Sequence, residues 1–298
     1  MIRSSLLAAV LAVLVFGAGG SAAQEAAPTP DDPIVVTGQR TREAIRSFVR
    51  QMAAAARSEN QLARWDRKIC PGVAGLQARY AQFLIDRMAQ RAFAVDLDVG
   101  EPNCRANILI VVTPDAAATT RELVENNRDA LGYYYERGRR TLGRRAFAAF
   151  ENSTAPVRWW HVNHTVTRDG ERVGETADAS APVTRLTGNA SRLSRTSHQD
   201  IGAVYIIVDA QQVRGIAFES LADYLAMAAL SQLDPAADTS PYPTILNLFA
   251  HAPDGAVAMT DWDLAYLRGL YSATRDAATA SRQEGEIART MDRTLAPH

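Results

Sequence analysis

The 298-residue chain balances 33 acidic against 32 basic side chains, a formal net charge of −1, so no overall field draws it toward nucleic acid or an anionic membrane surface. With 47% hydrophobic residues it has the material for one large core or two small ones. Two cysteines and five histidines are a thin inventory for metal chemistry.

In chain order, Arg3 is followed by an apolar run over residues 6–16 and then by the small residues Ser21, Ala22 and Ala23. That layout predicts a cleavable signal peptide over 1–23, its run too short to span a bilayer. It implies export, to the periplasm or the outside of a Gram-negative cell. No second apolar run of spanning length follows, so no transmembrane segment is expected in 24–298. Residues 24–40 (QEAAPTPDDPIVVTGQR) set Pro, Ala and Asp around one β-favouring run and predict an extended, mobile leader. A single globular domain over 41–271 and an exposed helical tail over 272–298 complete the expected organisation.

Within the domain, Ile45, Phe48, Val49, Met52 and Ala56 recur at spacings of three and four and predict an amphipathic helix. After a break at Pro71 and Gly72, a second helix is expected to carry Leu76, Tyr80, Phe83, Leu84 and Met88 on one face. The unbroken run ILIVV at 108–112 predicts a strand buried on both faces. It is followed by a helix with Thr113 as cap and Pro114 in the first turn. From about 157 to 208 the pattern favours strands, RWWHVNHTVT and AVYIIVD, with a turn at Asp169 and Gly170. Leu221, Tyr224, Leu225 and Ala228 predict another amphipathic helix, ending before Asp234 and Pro235. Thr260 with Asp263 three residues on predicts a capped helix that buries Trp262, Tyr266, Leu267 and Leu270. The class this order implies is α+β, a small mixed sheet flanked by several amphipathic helices.

Candidate chemistry is sparse. Cys70 and Cys104 in an exported chain predict a disulfide, whose loop closure contributes about 3 to 4 kcal/mol. A metal pair would instead want a CxxC spacing or a nearby His cluster. His161 and His164 are three apart, which on a strand sends them to opposite faces and disfavours joint chelation. No metal site and no cofactor are expected. Trp159 and Trp160 on a strand turn one ring to the core and one outward, where it forms a candidate binding surface beside a partly exposed strand. Trp159, Trp160, His161 and His164 are therefore the binding candidates. Neither GxSxG, a Walker pattern nor GxGxxG is present. Asp96 with Asp98, and Asp261 with Asp263, read as solvated turn and cap residues. The run YYYERGRR at 133–140 interleaves aromatics and cations as nucleic-acid sites do. In an exported chain without net positive charge it reads as a surface helix, and no nucleic-acid partner is expected.

The segments ENQLARWDRKICPGV, NCRANILIVVTPD, ADYLAMAALSQLDPAADTSPYPTILNLF and TDWDLAYLRGLY resemble a family of uncharacterised secreted proteins of alphaproteobacteria. That resemblance implies export and a shared fold, and no reaction. The order AVYIIVDAQQVRGIAFESLADYLAMAALSQL, then TDWDLAYLRGLY, resembles zincin-type metallopeptidases and implies a zincin-like fold. Residues 219–230 contain no His, so the implied fold is a degenerate one, silent as a zinc peptidase. DPIVVTGQR is similar to the TonB box of outer-membrane transporters, which implies edgewise contact with a TonB strand through Ile34, Val35, Val36 and Thr37. A transporter barrel would need far more chain than follows. The functional expectation is an exported, non-catalytic binding or assembly protein that takes an unknown protein or small ligand. The alternatives are a hydrolase with a site gathered from Trp159, His161, His164 and His198, and a TonB-interacting accessory protein.

Overall fold

The computed structural model describes residues 38–55, 61–133, 139–173, 194–250 and 256–296. The predicted signal peptide, Ile34 to Thr37 of the leader, residues 134–138 of the aromatic and cationic run, His251 and His298 lie outside them.

Five strands form one mixed sheet in the order β1-β2-β5-β4-β3. β1 (Pro71–Ala74), β2 (Ile108–Thr113) and β5 (Ser197–Asp209) run parallel. β4 (Val157–Thr167) is antiparallel to β5 and pairs on its other side with the two-residue β3 (Arg139–Arg140). β2 has neighbours on both edges, which is why an unbroken aliphatic run suits it. Its Ile108 and Ile110 are fully buried, whereas Val111 and Val112 on the same strand are half-buried.

Helices cover both faces. Val157, Trp159, Val204, Ile206 and Val208 face one core with α1 (Gly38–Met52), α2 (Ala78–Phe93), α5 (Phe218–Leu230), α6 (Asp261–Ser272) and α7 (Ala280–Leu295). Trp160, Val162 and Ile207 face a second, smaller core with α3 (Ala116–Asn127) and α4 (Arg144–Glu151). The α+β class with a mixed sheet and flanking helices is thus the observed one. Thr260 caps α6 by accepting from the Asp263 N–H at 3.1 Å, and Asp263 accepts from the Thr260 N–H at 2.9 Å, the reciprocal box its spacing predicts. The disulfide joins Cys70 to Cys104 with Cα atoms 6.1 Å apart, tying the start of β1 to the loop before β2.

Several expectations are corrected. Pro71 and Gly72 begin a strand, because β2 offers Pro71–Ala74 a parallel edge. On α2 the buried stripe is Leu84, Met88 and Ala92, while Tyr80 and Phe83 are exposed and pack on Phe218. Asp115, not Thr113, caps α3, accepting from the Ala118 N–H at 2.8 Å, since Thr113 is still paired in β2. α5 is not amphipathic: every residue from Ser220 to Leu230 is buried, and Asp223 among them is held by Arg87 and Arg91 of α2. Asp263 is fully buried and not solvated, because it also accepts from Thr244 and from the Ile245 N–H. Arg139 and Arg140 are in β3 and not in a helix, and Tyr133 lies under the guanidinium groups of Arg128 and Arg144. The segment expected as an exposed tail forms α7, whose Ile287, Ala288 and Met291 are buried, because small residues such as Gly269 let it lie close on α6.

The ladder between β4 and β5 breaks register at Gly202. Val162 pairs with Ala203 and Asn163 with Ile201, which leaves Gly202 as the extra residue of a bulge. Its lack of a side chain is needed there: a Cβ would lie 2.1 Å from His164 Cδ2.

Candidate functional site

The tandem tryptophans are divided by the pleat, and neither faces solvent. Trp159 is 9% exposed and meets Tyr224 of α5 edge-on at 6.1 Å. Trp160 is 3% exposed, packs on Phe147 at 5.0 Å and donates its indole N–H to the Leu131 carbonyl at 2.9 Å. The expected outward ring is absent because helices cover both faces of the sheet. The partly exposed strand is likewise corrected, as β4 is buried over all but its last residue.

His161 is buried and its ring bonds the Ala228 carbonyl of α5; burial lowers its pKa to about 4, the Ala228 bond only partly opposing that. The ring is therefore neutral at physiological pH. With one ring nitrogen donating to a carbonyl, the other carries a lone pair. His164 lies against Gly202, beyond the bulge, and pairs in the ladder with Arg139 of β3. Among the described residues no group of three or more His, Cys, Asp or Glu side chains is arranged to hold a metal ion.

A cleft of about 680 Å³ runs along the outer edge of β4, a volume in the range of small-ligand sites. Its floor is residues 157–161, which include Trp159, Trp160 and His161. One wall is Arg145, Ala146 and Ala149 of α4; the other is residues 53–55 with Leu233, Asp234 and Pro235. Tyr224 of α5 backs it, and burial pushes the Tyr224 hydroxyl up.

Four polar atoms on that floor are buried without a hydrogen-bond partner among the described residues. They are Arg158 Nε and Nη1, Trp159 Nε1 and His161 Nε2. Arg158 is 4% exposed; burial holds its guanidinium below the ordinary value, Asp209 and Asp115 opposing, and it remains a cation at neutral pH. Among the described residues its guanidinium makes one hydrogen bond, Nη2 to the Ala155 carbonyl at 3.2 Å. The three residues present two kinds of donor and one acceptor. Arg158, Tyr224 and Arg145 were not among the sequence candidates. The legible signal was a charge inside an apolar run, Arg158 directly before Trp159.

The composite site of Trp159, His161, His164 and His198 is not assembled. Neither His164 nor His198 lines this cleft. His198 Nε2 instead lies 3.1 Å from Asp66 Oδ2, and Asp66 also pairs with Arg275 at 2.6 Å. Asp66 and Arg275 line a second cleft of about 450 Å³ with Arg64, Arg67 and Tyr271. Its inner charges are occupied by the fold: Arg67 pairs with Asp200 at 2.5 Å, and Arg64 Nη1 donates to the carbonyls of Leu270, Tyr271 and Ala273 at the end of α6. No family model, no curated protein and no solved structure matches the chain, so what the edge cleft does is argued from its own residues.

Proposed function

We propose that the chain is an exported, non-catalytic binding protein whose ligand enters the cleft on the outer edge of β4. The observation that carries this reading is the set of buried, unpartnered polar atoms on Arg158, Trp159 and His161, all residues of one cleft floor. A buried donor or acceptor without a partner costs about 1 to 3 kcal/mol, more when charged. A ligand that supplies partners recovers that cost, so affinity has a ready source. His161 suits binding better than acid–base work, since its ring is held neutral and anchored to Ala228. The signal-peptide layout of residues 1–23 and the Cys70–Cys104 disulfide support an oxidising address. No helix among the described residues is long and apolar enough to cross a membrane.

The test is a fragment screen read on the indole N–H resonances of ¹⁵N-labelled protein, with the Trp159 signal assigned through Trp159→Phe. Small carboxylates, amides and alcohols are expected to move that signal. Ala149→Trp, which fills the cleft from an exposed position on α4, should abolish the response. A library that leaves the Trp159 indole unmoved, or hits that persist in Ala149→Trp, would overturn the reading.

A further inference from the structure

The floor of the cleft is a strand edge, and its backbone is as informative as its side chains. The Pro156 carbonyl accepts the Asp209 N–H at 2.9 Å, and Arg158 and Trp160 follow in register opposite Ile207 and Tyr205. In an antiparallel pair alternate residues turn both N–H and C=O toward the partner strand. Pro156, Arg158 and Trp160 are therefore the set facing β5, and the peptide groups of Val157, Trp159 and His161 point to the outer edge. Further along that edge, β3 pairs Asn163 and His164, and the Thr165 carbonyl accepts the Val173 N–H. Over residues 157–161 no strand among the described residues pairs with β4 on this outer side. The stretch without a described outer partner is about 13 Å long at some 3.3 Å per residue.

Such an edge is a template for another strand. The walls beside it are lined with small side chains, Ala53, Ala54, Ala146 and Ala149, which leave room for a main chain to approach. The charges are complementary to an acid: among the described residues Arg145 and Arg158 line the cleft with one carboxylate, that of Asp234. Resting on the binding reading above, we infer that the ligand is an extended acidic peptide. It adds to β4 as an outer strand, trading N–H and C=O groups with Val157, Trp159 and His161, while an Asp or Glu side chain reaches the Arg158 guanidinium. This is strand addition, with the main chain supplying affinity and the flanking side chains specificity.

The experiment selects ten-residue linear peptides from a random display library on the purified full chain. The selected sequences are then synthesised with amidated C-termini, so that any carboxylate is a side chain, and titrated by fluorescence anisotropy. Asp or Glu enrichment is expected, and changing that acid to its amide should weaken binding about tenfold or more. N-methylation at alternate positions should cost a similar factor in one parity and little in the other, because only one set of N–H groups faces β4. Arg158→Gln, checked for folding by circular dichroism, should bind the acid and amide peptides alike. Equal loss in both N-methyl parities, or no difference between acid and amide peptides, overturns the inference. Fragments that move the Trp159 indole while no peptide binds in the cleft would also overturn it and leave the binding reading standing; failure of both screens removes both.

Discussion

His161 bonds the carbonyl of Ala228, so the centre of β4 is pinned to the last turn of α5 through one imidazole that is 3% exposed. In the unfolded chain that ring takes up a proton near pH 6.5; in the fold it does so only at about 4. Between those values the unfolded state holds more protons, so stability must fall as pH drops through the window. The size is about 3 kcal/mol in total. Urea unfolding of wild type and His161→Gln from neutral pH downward should show the wild-type advantage shrinking as the medium acidifies. A difference that stays constant with pH would mean that the ring titrates alike in both states.

Asp223 acts in the same direction, at lower pH. Its burial in α5 would raise the carboxyl, but side-chain hydrogen bonds from Arg91 and Arg87, then the Met259 N–H, outweigh that and hold it at about 2. The stability it contributes is complete above the ordinary carboxylate range and is lost as pH falls from about 4 toward 2, an amount of about 2 to 3 kcal/mol. Asp223→Asn removes the charge and leaves two guanidinium groups facing an amide. The expected cost at neutral pH is about 3 to 5 kcal/mol, the penalty for breaking a buried pair from one side. Denaturation midpoints for the single variant, and for one that also carries Arg87→Met and Arg91→Met, check it, since the triple variant should recover part of the loss.

The disulfide lies where the chain enters β1, a strand of four residues held by one neighbour. Cys70→Ser with Cys104→Ser reopens the loop in the unfolded ensemble, at an expected cost of about 3 to 4 kcal/mol. Hydrogen exchange should show β1 and the loop before β2 losing protection more than the β4–β5 ladder does. Uniform loss across the sheet would show that the bond acts on the whole fold and not on this edge.

What could be read from residue order is what local chemistry decides. The aliphatic run of β2, the strands of WWH and YIIV, and the Thr260–Asp263 box needed only their neighbours in sequence. The two-cysteine count was enough to suggest the bridge. β1 was illegible because Pro71 and Gly72 speak for a break, and only the adjacent edge of β2 makes them a strand. α5 carries Ser220 and Asp223 on what looks like a polar side; the burial of Asp223 is matched by Arg87 and Arg91, far away in sequence. The site was half legible. Trp159, Trp160 and His161 are on the cleft floor as candidates, yet the stretch of β4 with no described outer partner depends on where β3 stops pairing. His164 is three residues from His161 on the same strand and so on its other face, as the spacing implied, whereas His198 is held beside Asp66, a contact that no spacing rule can see.

Gly269 and Ile287 decide whether the C-terminal helix belongs to the core. A Cβ at position 269 would lie 2.9 Å from Ile287 Cγ2 and 3.0 Å from both its Cα and its carbonyl oxygen. Two of those three atoms are backbone, so the neighbour cannot yield by rotating a side chain. Gly269→Ala must therefore push α7 off α6, against a helix-propensity gain of about 1 kcal/mol. Overpacking of this kind costs about 1 to 3 kcal/mol, and the net is a loss. Adding Ile287→Ala relieves only the Cγ2 contact and opens a cavity where Ile287 was fully buried, so the double variant should be less stable than either single one. Guanidinium unfolding of the three proteins decides it: a neutral or stabilising Gly269→Ala would mean that α7 does not lie this close to α6.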